Sequence, residues 1–203
     1  MSDITAIVLT AGGSSRMGQP KQLLSIGEES LLRRAAKLAL EVTDSVIVVL
    51  GAYADELRRQ LDDIDLTVVV NHNWQAGMGT SLHAGLITAP HQTAAALFML
   101  CDQPGLTSSH LHRLIATWRG SDRPMVASGY DGIAGVPAIF SRECFAELLA
   151  IRPETGAKQL LAARADKVAI VPFPDGSFDL DTPEDYTRWS SAPHRGYEHG
   201  RCG

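Results

Sequence analysis

Short apolar runs alternate along the first half of the chain with segments of helical periodicity. The runs are continuously apolar and are bounded by Gly, Asp or Asn, a pattern typical of strands that are covered on both faces. They predict strands at 4–9 (ITAIVL), 45–50 (SVIVVL), 66–70 (LTVVV) and 95–100 (AALFML). The segments between and after them predict helices at 30–42, 52–63, 80–89 and 107–118. This alternation predicts a doubly wound α/β fold, a mostly parallel sheet with helices on both faces.

The pattern changes after residue 124. Segment 127–140 (ASGYDGIAGVPAIF) predicts a β-hairpin, a small β flap over the sheet end, and two further helices are expected at 141–150 and 154–165. Thr182 followed by Pro183 predicts a capped start for a last helix. We interpret residues 1–190 as a single domain and 191–203 as a polar, disordered tail.

Composition and charge exclude several classes of protein. The chain has 203 residues, 45% hydrophobic and 20% charged, with a formal net charge of -5. That charge argues against nucleic-acid binding, which needs a basic surface. No apolar run reaches the length of a membrane span, and no signal peptide is visible. The three cysteines, Cys101, Cys144 and Cys202, form no CxxC pair, so reduced thiols and a cytoplasmic location are expected.

Unusual loops follow the predicted strands, where doubly wound folds bind their ligands. The first is 9–24 (LTAGGSSRMGQPKQLL). It is not a P-loop, because Gly18 is followed by Gln-Pro-Lys, and it lacks the third glycine of a dinucleotide fingerprint. A flexible backbone with Arg16 and Lys21 nearby suits close approach to a phosphate. A glycine-rich surface turn with solvated cations is the alternative.

Acidic residues at other strand ends could hold a divalent cation. Asp102 follows the run at 95–100, and one or two carboxylates together with substrate phosphates are the usual ligands of Mg²⁺. An N-capping role for Asp102 is the alternative. Asp179 and Asp181 alternate in FDLDTPEDY, where they would repel each other less with a cation between them.

These motifs together resemble the MobA-like nucleotidyltransferases, which attach a nucleotide to molybdopterin. The family signature Leu-x-x-Gly-x-Ser-x-Arg-Met-Gly-x-x-Lys is matched by Leu9, Gly12, Ser14, Arg16, Met17, Gly18 and Lys21. The resemblance extends over about residues 4–190. It implies a Rossmann-like, glycosyltransferase-A-like nucleotidyltransferase fold.

The resemblance also implies roles for individual residues. By this resemblance, Arg16, Lys21 and Asp102 are catalytic residues, and Asp102 and Asp181 are ligands of Mg²⁺. Nucleotide binding falls to Leu9, Ala11, Gly12, Gly13, Ser14, Arg16, Lys21, Gly77, Met78 and Ser81. Trp74 has two open interpretations, packing near the nucleoside or anchoring the loop. His110 and His112 are two apart on a predicted helix and are interpreted as surface residues.

The implied reaction is attack of an acceptor phosphate on the α-phosphorus of a nucleoside triphosphate, with release of pyrophosphate. The Thr10-Ala11-Gly12 start, Pro20-Lys21 and Gln103 resemble the cytidylyl branch, which favours CTP over GTP and molybdopterin as acceptor. The segments 153–158 and 135–137 depart from the family pattern where the acceptor is expected. Transfer of another nucleotide, or to a sugar or polyol phosphate, stays open. So does a carrier or insertion chaperone that serves a molybdoenzyme.

Overall fold

The computed structural model describes residues 3–191, and Cys202 with all but the first residue of the expected 191–203 tail lies outside that range. The strands are β1 (Ile4–Leu9), β2 (Ser25–Ile26), β3 (Glu29–Ser30), β4 (Ser45–Leu50), β5 (Thr67–Val70), β6 (Ala95–Leu100), β7 (Met125–Tyr130), β8 (Ile133–Ser141) and β9 (Val168–Pro172). The α-helices are α1 (Leu31–Leu40), α2 (Ala54–Arg59), α3 (Met78–Thr88), α4 (Ser108–Arg119), α5 (Phe145–Leu149), α6 (Ala157–Ala163) and α7 (Pro183–Ser191).

Seven strands form one sheet in the order β5-β4-β1-β6-β8-β7-β9, and β2 pairs with β3 separately. All strands of the large sheet run parallel except β8, which is antiparallel to both its neighbours. The predicted doubly wound, mostly parallel sheet is confirmed. The chain passes from β1 to β4 and β5 on one side and then crosses to β6 on the other. The switch point, where such folds bind ligands, therefore lies between β1 and β6.

The expected hairpin exists as β7 and β8, and its distal half extends beyond the paired part of β6 at the sheet end. Strands β7 and β8 both belong to the large sheet, and only Ala138–Ser141 pairs with β6. The remainder of β8 runs past the last paired residue of β6, towards the carboxyl edge. The pairing shifts register between Ala127 and Ser128, which bends the distal half of the hairpin. Strand β9 was not predicted, because it is a short edge strand with exposed positions and a terminal proline.

Two apolar layers cover the sheet. Along β1, Ala6 and Val8 pack in one layer, and Ile7 and Leu9 pack in the other. Helices α1 and α4 contribute to the first layer, and α3 and α6 to the second. Burial on both faces explains why the strands are continuously apolar. No helix among residues 3–191 is long and apolar enough to cross a membrane.

Side-chain caps mark the beginning of several helices, among them the predicted start at Thr182. Ser30 Oγ accepts from the N–H of Arg33, and Thr107 Oγ1 accepts from the N–H of His110. The start of α7 is held reciprocally: Thr182 Oγ1 accepts from the N–H of Asp185, whose carboxylate accepts from the N–H of Thr182. Helix α2 begins two residues later than predicted, since Tyr53 adopts the left-handed region (φ 59°) immediately before it, and it ends at Arg59.

The interpretation of His110 as a surface residue is wrong, whereas His112 is exposed as expected. The His110 ring is 1% exposed and stacks on Phe173 at a centroid distance of 4.2 Å. Its Nε2 lies 2.8 Å from Ser128 Oγ, whose own proton is donated to a backbone carbonyl, and Arg113 donates to its Nδ1. Those partners fix the neutral tautomer with the proton on Nε2. Burial, followed by the charge of Arg113, lowers the pKa of His110 to about 4.

Replacing His110 should change how stability depends on pH. The folded pKa of about 4 lies below the ordinary value of ~6.5, so His110 stabilises the fold above pH 6.5 and this contribution is lost as pH falls towards 4. His110→Gln should therefore reduce the loss of unfolding free energy in that window, by up to ~1.4 kcal/mol per pH unit. Urea unfolding at a series of pH values measures it. His112→Gln is the matched control and should keep the wild-type slope; equal slopes in both variants would contradict the assignment.

Candidate functional site

The loop after β1 makes a tight turn at the switch point. Ser14 adopts φ 51° and Gly18 φ 71°, and the N–H of Met17 donates to Ser14 O at 3.0 Å. The left-handed conformation at Gly18 is one that side chains with a Cβ rarely adopt, which explains a glycine there. This geometry turns the chain back so that Lys21 comes to lie at the carboxyl edge of the sheet.

The loop is tied together by Gln22, which is 1% exposed. Its Nε2 donates to the carbonyl oxygens of Thr10 and Gly12, both at 2.8 Å, and its Oε1 accepts from Ser14 Oγ at 3.2 Å. Ser14 Oγ in turn accepts from the backbone N–H of Lys21 at 3.0 Å. Sequence reasoning assigned Gln22 no role. A glutamine between a lysine and two leucines gives no signal by itself that its side chain turns inward.

One ammonium group joins the three segments expected to carry the chemistry. Lys21 Nζ lies 2.6 Å from Asp102 Oδ2 and 2.8 Å from Asp181 Oδ1. Arg16 adds a 2.7 Å ion pair to Asp181 Oδ2, although its own side chain is 69% exposed. The N–H of Leu180 donates to Asp102 O at 2.9 Å, so the segment leading to Asp181 is held against the end of β6.

The charges in this cluster shift one another. Burial alone would lower the pKa of Lys21, but the charge of Asp102 and the hydrogen bonds to both carboxylates raise it above its ordinary value. Partial burial of Asp181 would raise its pKa, but the charges and hydrogen bonds of Lys21 and Arg16 hold that pKa below its usual value. For Asp179, burial and then the charges of Asp102 and Asp181 raise the pKa to about 6. With Asp179 included, the cluster has three carboxyl groups and two cations, Lys21 and Arg16.

Two of the carboxylates fit a hard divalent cation. Asp102 Oδ1 is buried and has no hydrogen-bond partner among the described residues, while its Oδ2 is bound to Lys21. Asp181 presents a second carboxylate to the same ammonium. Residues 3–191 contain no group of three or more His, Cys, Asp or Glu that could hold a metal ion by themselves. Such a donor set suits a cation that keeps water and phosphate oxygens among its ligands.

The residues expected at the nucleoside lie after the end of β5, which is separated from β1 in the sheet by β4. Met78 is 48% exposed at the start of α3, next to Gly77 at φ 126°. Ser81 is buried, and its Oγ accepts from Asn71 Nδ2 at 2.9 Å, so this hydroxyl serves the loop after β5. A Cβ on Gly77 would lie 2.3 Å from Pro153 O, which explains the glycine by close packing against the loop before α6.

Trp74 connects the two loops. A Cβ on Gly13 would lie 3.0 Å from the indole ring, so Trp74 packs against the backbone of the first loop. This contact supports the loop-anchoring interpretation. The side chains of Leu9 and Ala11 are buried, so only their backbone groups can reach a ligand at the sheet edge.

The mostly parallel sheet with a charged loop at its switch point is the fold of Rossmann-like nucleotidyltransferases such as the solved relative from Methanothermobacter (TM-score 0.78 at 22% identity, covering 92% of this chain and 95% of that one). The family model "MobA-like NTP transferase domain" matches residues 6–168, and the chain belongs to that family.

Relatives support the same family. The chain is 27% identical over 187 residues to the molybdenum cofactor cytidylyltransferase of Escherichia coli, covering 92% of this chain and 95% of the relative. It is 36% identical over 118 residues to the nicotine blue oxidoreductase of Paenarthrobacter nicotinovorans, covering 57% of each.

Among solved structures, Rv0371c of Mycobacterium tuberculosis superposes with a TM-score of 0.81 at 29% identity, over 93% of this chain and 98% of that one. A second structure of Rv0371c, a complex with manganese, superposes with a TM-score of 0.75 at 29% identity, covering 94% of this chain and 100% of that one.

Removing the shared ammonium should destabilise the fold. In Lys21→Met, the largely buried carboxylate of Asp102 loses its charged partner, so the free energy of unfolding should fall by about 1–3 kcal/mol or more. Urea unfolding at pH 7.5 without added divalent cation measures it. Lys37→Met, which removes an exposed pair with Glu29, is the control and should cost below about 1 kcal/mol. A stable Lys21→Met would contradict this account of the cluster.

Proposed function

We propose that this protein is a Mg²⁺-dependent nucleotidyltransferase that transfers CMP from CTP to molybdopterin and releases pyrophosphate. The observation that carries the proposal is the position of the Lys21 ammonium between Asp102 and Asp181, at the switch point and beside the glycine-rich loop. Similarity to the cytidylyltransferase of Escherichia coli over nearly the full length of both chains supports the nucleotide and the acceptor.

The chemistry asks for alignment and charge neutralisation rather than for a protein nucleophile. Asp102 and Asp181 would hold the cation, which would neutralise charge on the phosphate oxygens and so assist departure of pyrophosphate. Lys21 and Arg16 would bind the same phosphates from the loop. The backbone of Gly12 would allow the phosphates to approach closely, because it has no Cβ and the space around that position is open.

Gly77 and Met78 would lie beside the nucleoside. Ser81 would hold this loop in place by accepting a hydrogen bond from Asn71 Nδ2. The buried side chain of Gln103 would fix the edge beside Asp102, since its Nε2 donates to Val136 O and Gly176 O. Retention of two cations and two carboxylates in one cluster argues for an enzyme over a cofactor carrier, which has no need to neutralise a leaving pyrophosphate.

Asp102→Asn should abolish turnover while the protein stays folded. The amide keeps the shape of the side chain but loses the charge that would hold the cation, so Mg²⁺-dependent pyrophosphate release should fall by about a hundredfold or more. A coupled pyrophosphate assay with CTP and molybdopterin measures it, and circular dichroism checks the fold. Asp63→Asn, at a carboxylate that pairs with Arg33, is the control and should keep wild-type turnover. Wild-type rates in Asp102→Asn would remove Asp102 from the mechanism.

The base preference can be measured without the acceptor. Calorimetric titration with CTP and with GTP, each with Mg²⁺, should show at least about tenfold tighter binding of CTP, a difference of about 1.4 kcal/mol. Preference for GTP would replace the cytidylyl assignment by the guanylyl one. The absence of binding by either nucleotide would contradict the transferase proposal and favour the carrier.

A further inference from the structure

Within the part of the chain that the structure describes, the loop from Ala11 to Arg16 has backbone N–H groups without a hydrogen-bond acceptor. Among the described residues, none of the backbone N–H groups of residues 11–16 donates to a protein oxygen. The carbonyls of Thr10 and Gly12, in contrast, are both occupied by Gln22 Nε2. A trans peptide points its N–H opposite to its C=O, so the N–H of Gly13 is directed away from Gln22. Successive outward N–H groups in a turn form a concave site for an anion.

Gln22 reaches the beginning, the middle and the end of this loop. At the beginning of the loop, its amide N–H groups donate to the carbonyl oxygens of Thr10 and Gly12. In the middle, its Oε1 accepts from Ser14 Oγ. Through Ser14 Oγ the same network reaches the N–H of Lys21 at the end. Since Gln22 is 1% exposed, its side chain lies beneath the loop and has no surface from which to bind a ligand.

We propose that Gln22 is a positioning residue, which holds the loop of residues 10–14 with its amides outward for the phosphates of the nucleotide and fixes the backbone from which Lys21 projects. The inference rests on the proposed function, because the phosphates belong to that nucleotide. On this inference, Gln22 affects binding of the phosphates indirectly, through the loop, and the base is recognised by the loop before α3.

The test separates phosphate binding from base binding in Gln22→Met, which keeps the approximate length of the side chain but cannot donate. Calorimetry with Mg²⁺ gives the dissociation constants of CTP, CMP and pyrophosphate. The variant should bind CTP and pyrophosphate about tenfold or more weakly, with CMP affected much less. Gln22→Glu, whose ionised carboxylate cannot donate to the two carbonyls, should show the same loss and serves if Gln22→Met does not fold.

Two controls separate positioning from stability. Thr43→Val removes another buried hydrogen bond, from Thr43 Oγ1 to Ile4 O, at the opposite edge of the sheet. It should lower the melting temperature yet leave the ratio of CMP to CTP dissociation constants unchanged. Gln159→Met, at an exposed glutamine on α6, should change neither.

The outcomes distinguish this inference from the proposed function. If folded Gln22 variants keep the wild-type ratio of CMP to CTP affinity, whether both affinities are unchanged or fall equally, the positioning role is overturned and the proposed function is not. If the wild-type protein prefers GTP, the comparison of GTP with GMP decides in the same way. If it binds none of CTP, GTP and pyrophosphate, the proposed function fails and this inference fails with it.

Discussion

The arrangement of the candidate site depends on one ammonium group shared by two carboxylates. Lys21 is 81 residues away from Asp102 and 160 from Asp181 along the chain, yet its Nζ lies within 2.8 Å of an oxygen of each. The loop after β1, the end of β6 and the segment before α7 therefore meet at one charge. Because the ammonium is largely buried, losing it would leave the carboxylates repelling each other in a poorly solvated place.

A second constraint supports this ion pair from the protein interior. A small apolar cluster of Met17, Leu24, Leu31 and Leu180 packs between the first loop and the segment that carries Asp181. Tyr186 of α7 donates from its hydroxyl to Ser25 O at 2.9 Å, so the last helix is bound to β2, immediately after the first loop. Apolar packing brings the two segments together, and the charges then fix their register.

Sequence patterns predicted the fold better than they predicted the contacts of the site. Continuous apolar runs predicted β1, β4 and β6 because burial on both faces leaves a strong local signal, and β5 was predicted from its apolar run although it is a partly exposed edge strand. Strand β9 was missed although it also has an apolar run, because that run is short and ends in a proline, which weakens the strand signal. The hairpin was predicted, but its place within the sheet depends on pairing with β6, whose partner residues are 40 to 46 positions away along the chain and invisible to a local pattern.

Site residues divide in the same way. Motif resemblance could nominate Arg16, Lys21, Asp102 and Asp181, whereas the ion pairs among them depend on long-range folding. Gln22 and His110 are the instructive failures, because both are polar residues whose buried hydrogen-bond partners are set by the tertiary fold. A sequence shows that a polar side chain is present and gives no measure of how deeply it is buried.

The ion pairs have a consequence for the proposed chemistry. Lys21 already supplies positive charge to Asp102 and Asp181, so a cation that binds there must compete with an ammonium at 2.6 and 2.8 Å. A nucleotide changes that competition, because its phosphates offer Lys21 another anion as they bring oxygen ligands to the cation. Binding of the cation and of the triphosphate should therefore favour each other. On the proposed function, Lys21 keeps the free site folded and later becomes a phosphate ligand, two roles that one mobile ammonium can fill and a fixed metal ion could not.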